Sequence, residues 1–131
     1  MVLNQWFKRM ARVCAAVSGG LFGVGASVTQ ITSRTTAVVI NSLSGSITLV
    51  SAAGSTTAAS FTVTNDKVSA GDVVVVSQAS GTDKYDIGVS AVAAGSFQIT
   101  SRTYSGTTTE TPVFNFVVLK ANTTAALDQV A

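Results

Sequence analysis

The sequence predicts an all-β fold: a jelly-roll-like β-sandwich of about eight strands, preceded by an N-terminal amphipathic helical arm. Three observations predict it. From Val28 to Lys120 apolar residues recur at every second position, the period of a strand with one buried face. Thr, Val and Ile dominate that stretch, and short clusters of Ser, Gly, Asn and Asp interrupt it at regular intervals. The first 26 residues follow the helical period instead.

Residues 4–17 read NQWFKRMARVCAAV. At about 100° per residue, Trp6, Met10, Val13 and Val17 share one face, with Phe7 and Cys14 at its edge and Lys8, Arg9 and Arg12 opposite. Ser18, Gly19 and Gly20 end this short cationic helix, because adjacent glycines are penalised in a helix interior. LFGVGA, residues 21–26, follows as a flexible apolar linker. Three readings of the segment compete. One is a secretory signal, with basic residues before an apolar run and a small-residue site at Val24-Gly25-Ala26. Another is a helix lying on a membrane surface. The third is an arm that docks its apolar face on a neighbouring subunit. A helix this short is marginal alone in water, so an ordered one needs a cover for Trp6, Met10 and Val17. The docking arm is the reading taken forward, with Trp6, Phe7, Met10, Val13, Val17, Leu21 and Phe22 as its contact residues. Cys14 reads as a small apolar residue of that face, and no stretch is long and uncharged enough for a convincing membrane span.

The body, residues 27–120, divides into strands near 28–33, 36–41, 45–51, 57–65, 72–78, 84–92, 96–103 and 111–120. Turn chemistry falls at Ser44-Gly45, Gly54-Ser55, Asn65-Asp66, Ala70-Gly71, Ser80-Gly81, Gly95-Ser96 and Ser105-Gly106. Two antiparallel sheets are expected. Alternation nominates a core of Val38, Ile40, Ile47, Leu49, Phe61, Val63, Phe97, Ile99, Phe114, Phe116 and Val118. Tyr85, Ile87, Val89 and Ala91 join it as one face of a single strand. The run Val73–Val76 does not alternate; it is either a central strand covered on both faces or a strand whose outer face meets a partner. Pro112 opens the final strand, where a missing N–H does least harm. Residues 121–131 lose the pattern and read as a tail.

Charged residues make up only 11% of the chain, far below the usual quarter, and hydroxyl and small side chains fill the gap. Such a surface suits repeated contact with other protein. The formal charge of +2 is uneven: Lys8, Arg9 and Arg12 lie in the arm with no acid, and the remainder is near neutral. A near-neutral body argues against nucleic acid, which requires a clustered basic face. With one cysteine and no histidine, an intramolecular disulfide, a usual Cys/His zinc site and a Ser-His-Asp triad are all excluded. Asp83 and Asp86 can supply oxygen ligands, but they stand three apart at a strand start and point differently, so a solvated turn is expected. TNDK at 64–67 reads as a turn, and Thr107-Thr108-Thr109-Glu110 has no partner base in sequence. No cofactor or metal is expected and no enzyme.

The phrases SVTQITSRTTAVVINSLSGSITLVSAA, SFTVTN, VVVVSQASGTDKYDIGVSAVAAGSFQIT and TETPVFNFVVLKA, spanning about residues 26–121, resemble small β-rich virion proteins of tailed bacteriophages, of the capsid decoration or cement kind. The resemblance implies a β-sandwich bound to the outside of an assembled head, often as a symmetric homo-oligomer, a trimer among the options. Its partners would be the major capsid protein or other virion subunits, and its location the capsid surface. The long amphipathic N-terminus departs from that pattern and suggests an anchoring or bridging arm. The alternative is a tail-associated or secreted module that binds a receptor or glycan.

Overall fold

A computed structural model describes residues 25–121, which form a compact unit. The arm residues and the tail from 122 onward lie outside the described residues. Within the unit the chain is all-β, with ten strands and no helix among the described residues. One sheet has the order β1 (Ala26–Thr29), β3 (Ser44–Thr48), β10 (Val113–Leu119), β6 (Val73–Ser80). The other has the order β2 (Val38–Val39), β5 (Ala59–Thr64), β8 (Ser96–Thr103), β7 (Tyr85–Ala93). A two-stranded ribbon joins β4 (Ala52–Ala53) to β9 (Thr109–Glu110). The expectation of purely antiparallel sheets fails at two edges. β1 runs parallel to β3 and β2 parallel to β5, because the chain leaves each of these short strands for the other sheet and crosses back before laying down its partner.

The two four-stranded sheets share one apolar core in a sandwich-like arrangement. Ile47, Phe114, Phe116, Val118 and Val74 come from the first sheet, and Val38, Phe61, Val63, Tyr85, Phe97 and Ile99 from the second. Aromatic pairs tie the layers: Tyr85 meets Phe114 edge-on at 5.5 Å, and Phe97 meets Phe116 at 5.2 Å. Such pairs add about 0.5–1.5 kcal/mol beyond the area they bury. Ile87 and Val89 are partly buried against the same cluster.

Three local expectations need correction. Ala91 is exposed and Val92 packs against the core instead, because Ser90 forms a β-bulge between Val89 and Ala91 that shifts the alternation by one. The Ser90 hydroxyl anchors the bulge, donating to Gln98 Oε1 and accepting from the Thr100 hydroxyl, each at 2.8 Å. Ser44-Gly45 is no turn but lies inside β3. A Cβ on Gly45 would stand 2.7 Å from the Ala26 carbonyl oxygen and 2.7 Å from Ile40 Cδ1, so the glycine allows close approach rather than reversal. The stretch 28–33 holds strand only to Thr29, and 36–41 only at Val38–Val39. There, buried Gln30 takes over the pairing: its side-chain Nε2 donates to the Thr36 carbonyl, and its backbone N–H donates to the Thr48 carbonyl.

Candidate interaction surface

The four strands of the first sheet read ASVT, SGSIT, VFNFVVL and VVVVSQAS, without one charged residue. Their alternate positions face away from the core. At the β1 and β3 side that outer face is hydroxyl-rich, with Ser46 donating to Asn115 Oδ1 at 2.7 Å across the β3–β10 pair. At the β10 and β6 side it is apolar. Val73 pairs with Leu119 and Val75 with Val117. Val73, Val75 and Leu119 are 55%, 49% and 41% exposed. Val74, between the two exposed valines, is buried. β6 is therefore an edge strand, which overturns the first alternative for Val73–Val76, a central strand covered on both faces. The periodicity was hidden because valine stands on both faces.

Strand directions bring the first and last described residues to one end of this sheet, Gly25 at its β1 edge and Ala121 beside β6. β1 is parallel to β3, β10 antiparallel to β3, and β6 antiparallel to β10. The start of β1, the end of β10 and the start of β6 consequently share one end of the sheet. Gly25, where the preceding segment joins, and Ala121, where the tail begins, both attach there. A buried Asp72 fastens that end. Its carboxylate accepts from Lys120 Nζ, from the Ser69 N–H at 2.8 Å and from the Ala121 N–H at 3.0 Å. Burial alone would raise the Asp72 pKa, but the Lys120 ammonium and the two backbone donors outweigh it and hold the carboxyl below its ordinary value.

The opposite end is closed by a polar lock. The Glu110 carboxylate accepts from the backbone N–H groups of Thr82 and Asp83 and from the Tyr85 hydroxyl at 3.2 Å. The Thr82 N–H, then that of Asp83, holds its pKa below the ordinary value against the opposing effect of burial. Arg34 spans the same end, donating to the carbonyls of Val50, Ala52 and Glu110 at 2.7–2.8 Å and to the Tyr85 hydroxyl at 3.3 Å. Burial pushes the Tyr85 phenol up, so it remains a protonated donor to Glu110. Asp83 was expected in a solvated turn and is buried instead. It accepts from the Thr108 N–H at 2.8 Å and the Thr108 hydroxyl at 2.7 Å, and Gly54 and Gly106 close over it. These carboxylates join loops that are remote in sequence. Among the described residues, no three Asp, Glu, His or Cys are grouped to hold a metal ion.

The outer face of the second sheet differs from that of the first. It carries the Asp86–Arg102 ion pair at 3.1 Å and a run of linked hydroxyls from Ser60 through Thr100 to Ser90. Gly88 leaves a recess between them.

The predicted contact residues Trp6, Phe7, Met10, Val13, Val17, Leu21 and Phe22 lie outside the described residues. The apolar corner of Val73, Val75, Val117 and Leu119 was signalled only by the unalternating valine run. The Arg34–Tyr85–Glu110 lock had no local signal, since its partners stand 25 to 76 residues apart. Comparison with family models, with curated proteins and with solved structures finds no match.

Proposed function

We propose that this chain is a non-enzymatic structural protein of a phage particle, decorating or cementing the capsid surface. In this reading the body is a jelly-roll-like sandwich seated on the shell. The N-terminal segment is an amphipathic helical arm that docks Trp6, Phe7, Met10, Val13 and Val17 on an adjoining subunit. The observation that carries the proposal is the charge-free outer face of the first sheet, with its apolar corner on β6 and β10. Protein interfaces are depleted in charge at their centres, and a contiguous apolar patch on a small body marks a contact site. A folded body and a tethered arm also bind multivalently, each raising the effective concentration of the other. Deleting residues 1–22 is expected to leave a folded body that no longer decorates particles. Full occupancy after that deletion contradicts the arm.

A second reading draws on the other face. The recess over Gly88, flanked by Asp86, Arg102, Ser90 and Thr100, offers a carboxylate, a guanidinium and hydroxyls of the kind that bind sugar hydroxyls. It favours a receptor- or glycan-binding module. Binding of the intact chain to host envelope material, abolished by Arg102→Ala, would support it over the shell reading.

A further inference from the structure

The four strands that end the two main sheets are not equally protected. An unpaired strand edge presents rows of free N–H and C=O groups, and folded proteins guard such edges by shortness, charge, proline or a bulge. β1 and β2 are guarded by shortness, having four and two residues. β7 is guarded by its bulge at Ser90, by Gly88 and by Asp86. β6 is long, eight residues, with neither charge nor proline, and its register shift comes only at its far end, opposite Val113 and Phe114. Among the described residues, the backbone of Val73–Ala79 bonds to β10 and to nothing else.

We infer that β6 is the seam between two copies of this chain, pairing antiparallel with its own equivalent about a twofold axis and extending the first sheet to eight strands. The occupant of this edge must be an extended backbone, because only a strand satisfies a row of alternating donors and acceptors. A twofold pairing sets the strand against itself, so any charge on it would face its like. β6 carries none. The rest of the described unit offers no long-range repulsion either. Arg34, Lys67, Lys84, Arg102 and Lys120 balance Asp66, Asp72, Asp83, Asp86 and Glu110. Antiparallel pairing keeps outward residues beside outward residues. With the axis at Val75, that outward valine meets its own equivalent and Val73 stands opposite Ser77, so the exposed valines of the two copies are covered at the seam. The inference goes beyond the particle reading and does not depend on it: a shell protein and a binding module can share the same seam.

The test uses the full chain. Its mass is measured by light scattering over a hundredfold concentration range, beside the variants Val75→Lys and Ile31→Lys, and amide exchange is followed across Val73–Ala79. Val75 is half exposed and Ile31 is 81% exposed away from β6, so both variants are expected to fold, which circular dichroism checks. The expected result is an even-numbered oligomer whose β6 amides exchange slowly. Val75→Lys should weaken association at least tenfold and speed β6 exchange, while Ile31→Lys changes neither. A monomer at all concentrations overturns the inference, as does a trimer. So does an oligomer that persists in Val75→Lys, or one whose β6 amides exchange as fast as those of an open edge.

Discussion

Replacing Glu110 with glutamine probes the polar lock without changing its shape. The carboxylate accepts two backbone N–H groups and one phenol, and the Arg34 fork holds the same strand through the Glu110 carbonyl. Glutamine keeps one acceptor oxygen and turns an NH2 group toward donors, so at least one backbone N–H loses its partner. A hydrogen bond to a charged acceptor contributes about 1.5–3 kcal/mol and a stranded donor costs about 1–3 kcal/mol. Because Glu110 is only partly buried, solvent screening reduces this to about 1–2 kcal/mol overall. For a body of this size that lowers Tm by about 4–8 °C per kcal/mol. The pH dependence supplies an independent check. The folded pKa of Glu110 is depressed, so its contribution is fully present above the unfolded value of about 4.3 and is lost as pH falls through the folded value. Thermal unfolding of both proteins by circular dichroism from pH 7 to pH 2.5 should show a constant gap down to about pH 5 and convergence below about pH 4. Equal Tm values at pH 7, or a gap that widens in acid, would refute the lock.

Other perturbations give contrasting outcomes. Gly54→Ala would bring a Cβ within 2.5 Å of Asp83 Oδ2 and 2.6 Å of the Gly106 carbonyl, and should destabilise by about 1–3 kcal/mol in chemical denaturation. Gly88→Ala meets nothing within 4 Å and should stabilise by about 0.4–1 kcal/mol in the same assay. Phe114→Ala empties a fully buried site in contact with Tyr85 and should cost about 3–5 kcal/mol, whereas Leu119→Ala on the outer face should stay within about 0.5 kcal/mol. Asp72→Asn removes the anionic partner of Lys120, so amide exchange at Ala121 should accelerate at pH 7. The Asp72 pKa is also depressed, so the variant and the parent should converge as pH falls below about 3.9.

The core was legible wherever one residue type marked one face. Phe114, Phe116 and Val118 alternate with Asn115 and Val117, and all three are buried. Legibility failed where local pattern and long-range contact disagree. A bulge is invisible to a period-two count, so Ala91 was assigned the place that Val92 takes. Glycine marks both turns and close approaches, and only the neighbours of Gly45, Ala26 and Ile40, decide between them. Asp83 reads as a solvated turn residue because Thr108 and Gly54, which enclose it, are remote in sequence. The candidate surface was half legible. The valine run raised the choice between burial and a partner, but it took the strand order to place β6 at an edge.

The claim on which the functional account rests is that this body is built to sit among other subunits on a particle. Quantitative mass spectrometry of gradient-purified particles, from cells carrying the genome that encodes this chain, tests it most directly. The account predicts that the chain co-sediments with the shell subunit in a fixed ratio. Particles free of the chain, with the protein left in the soluble or membrane fraction, would contradict it.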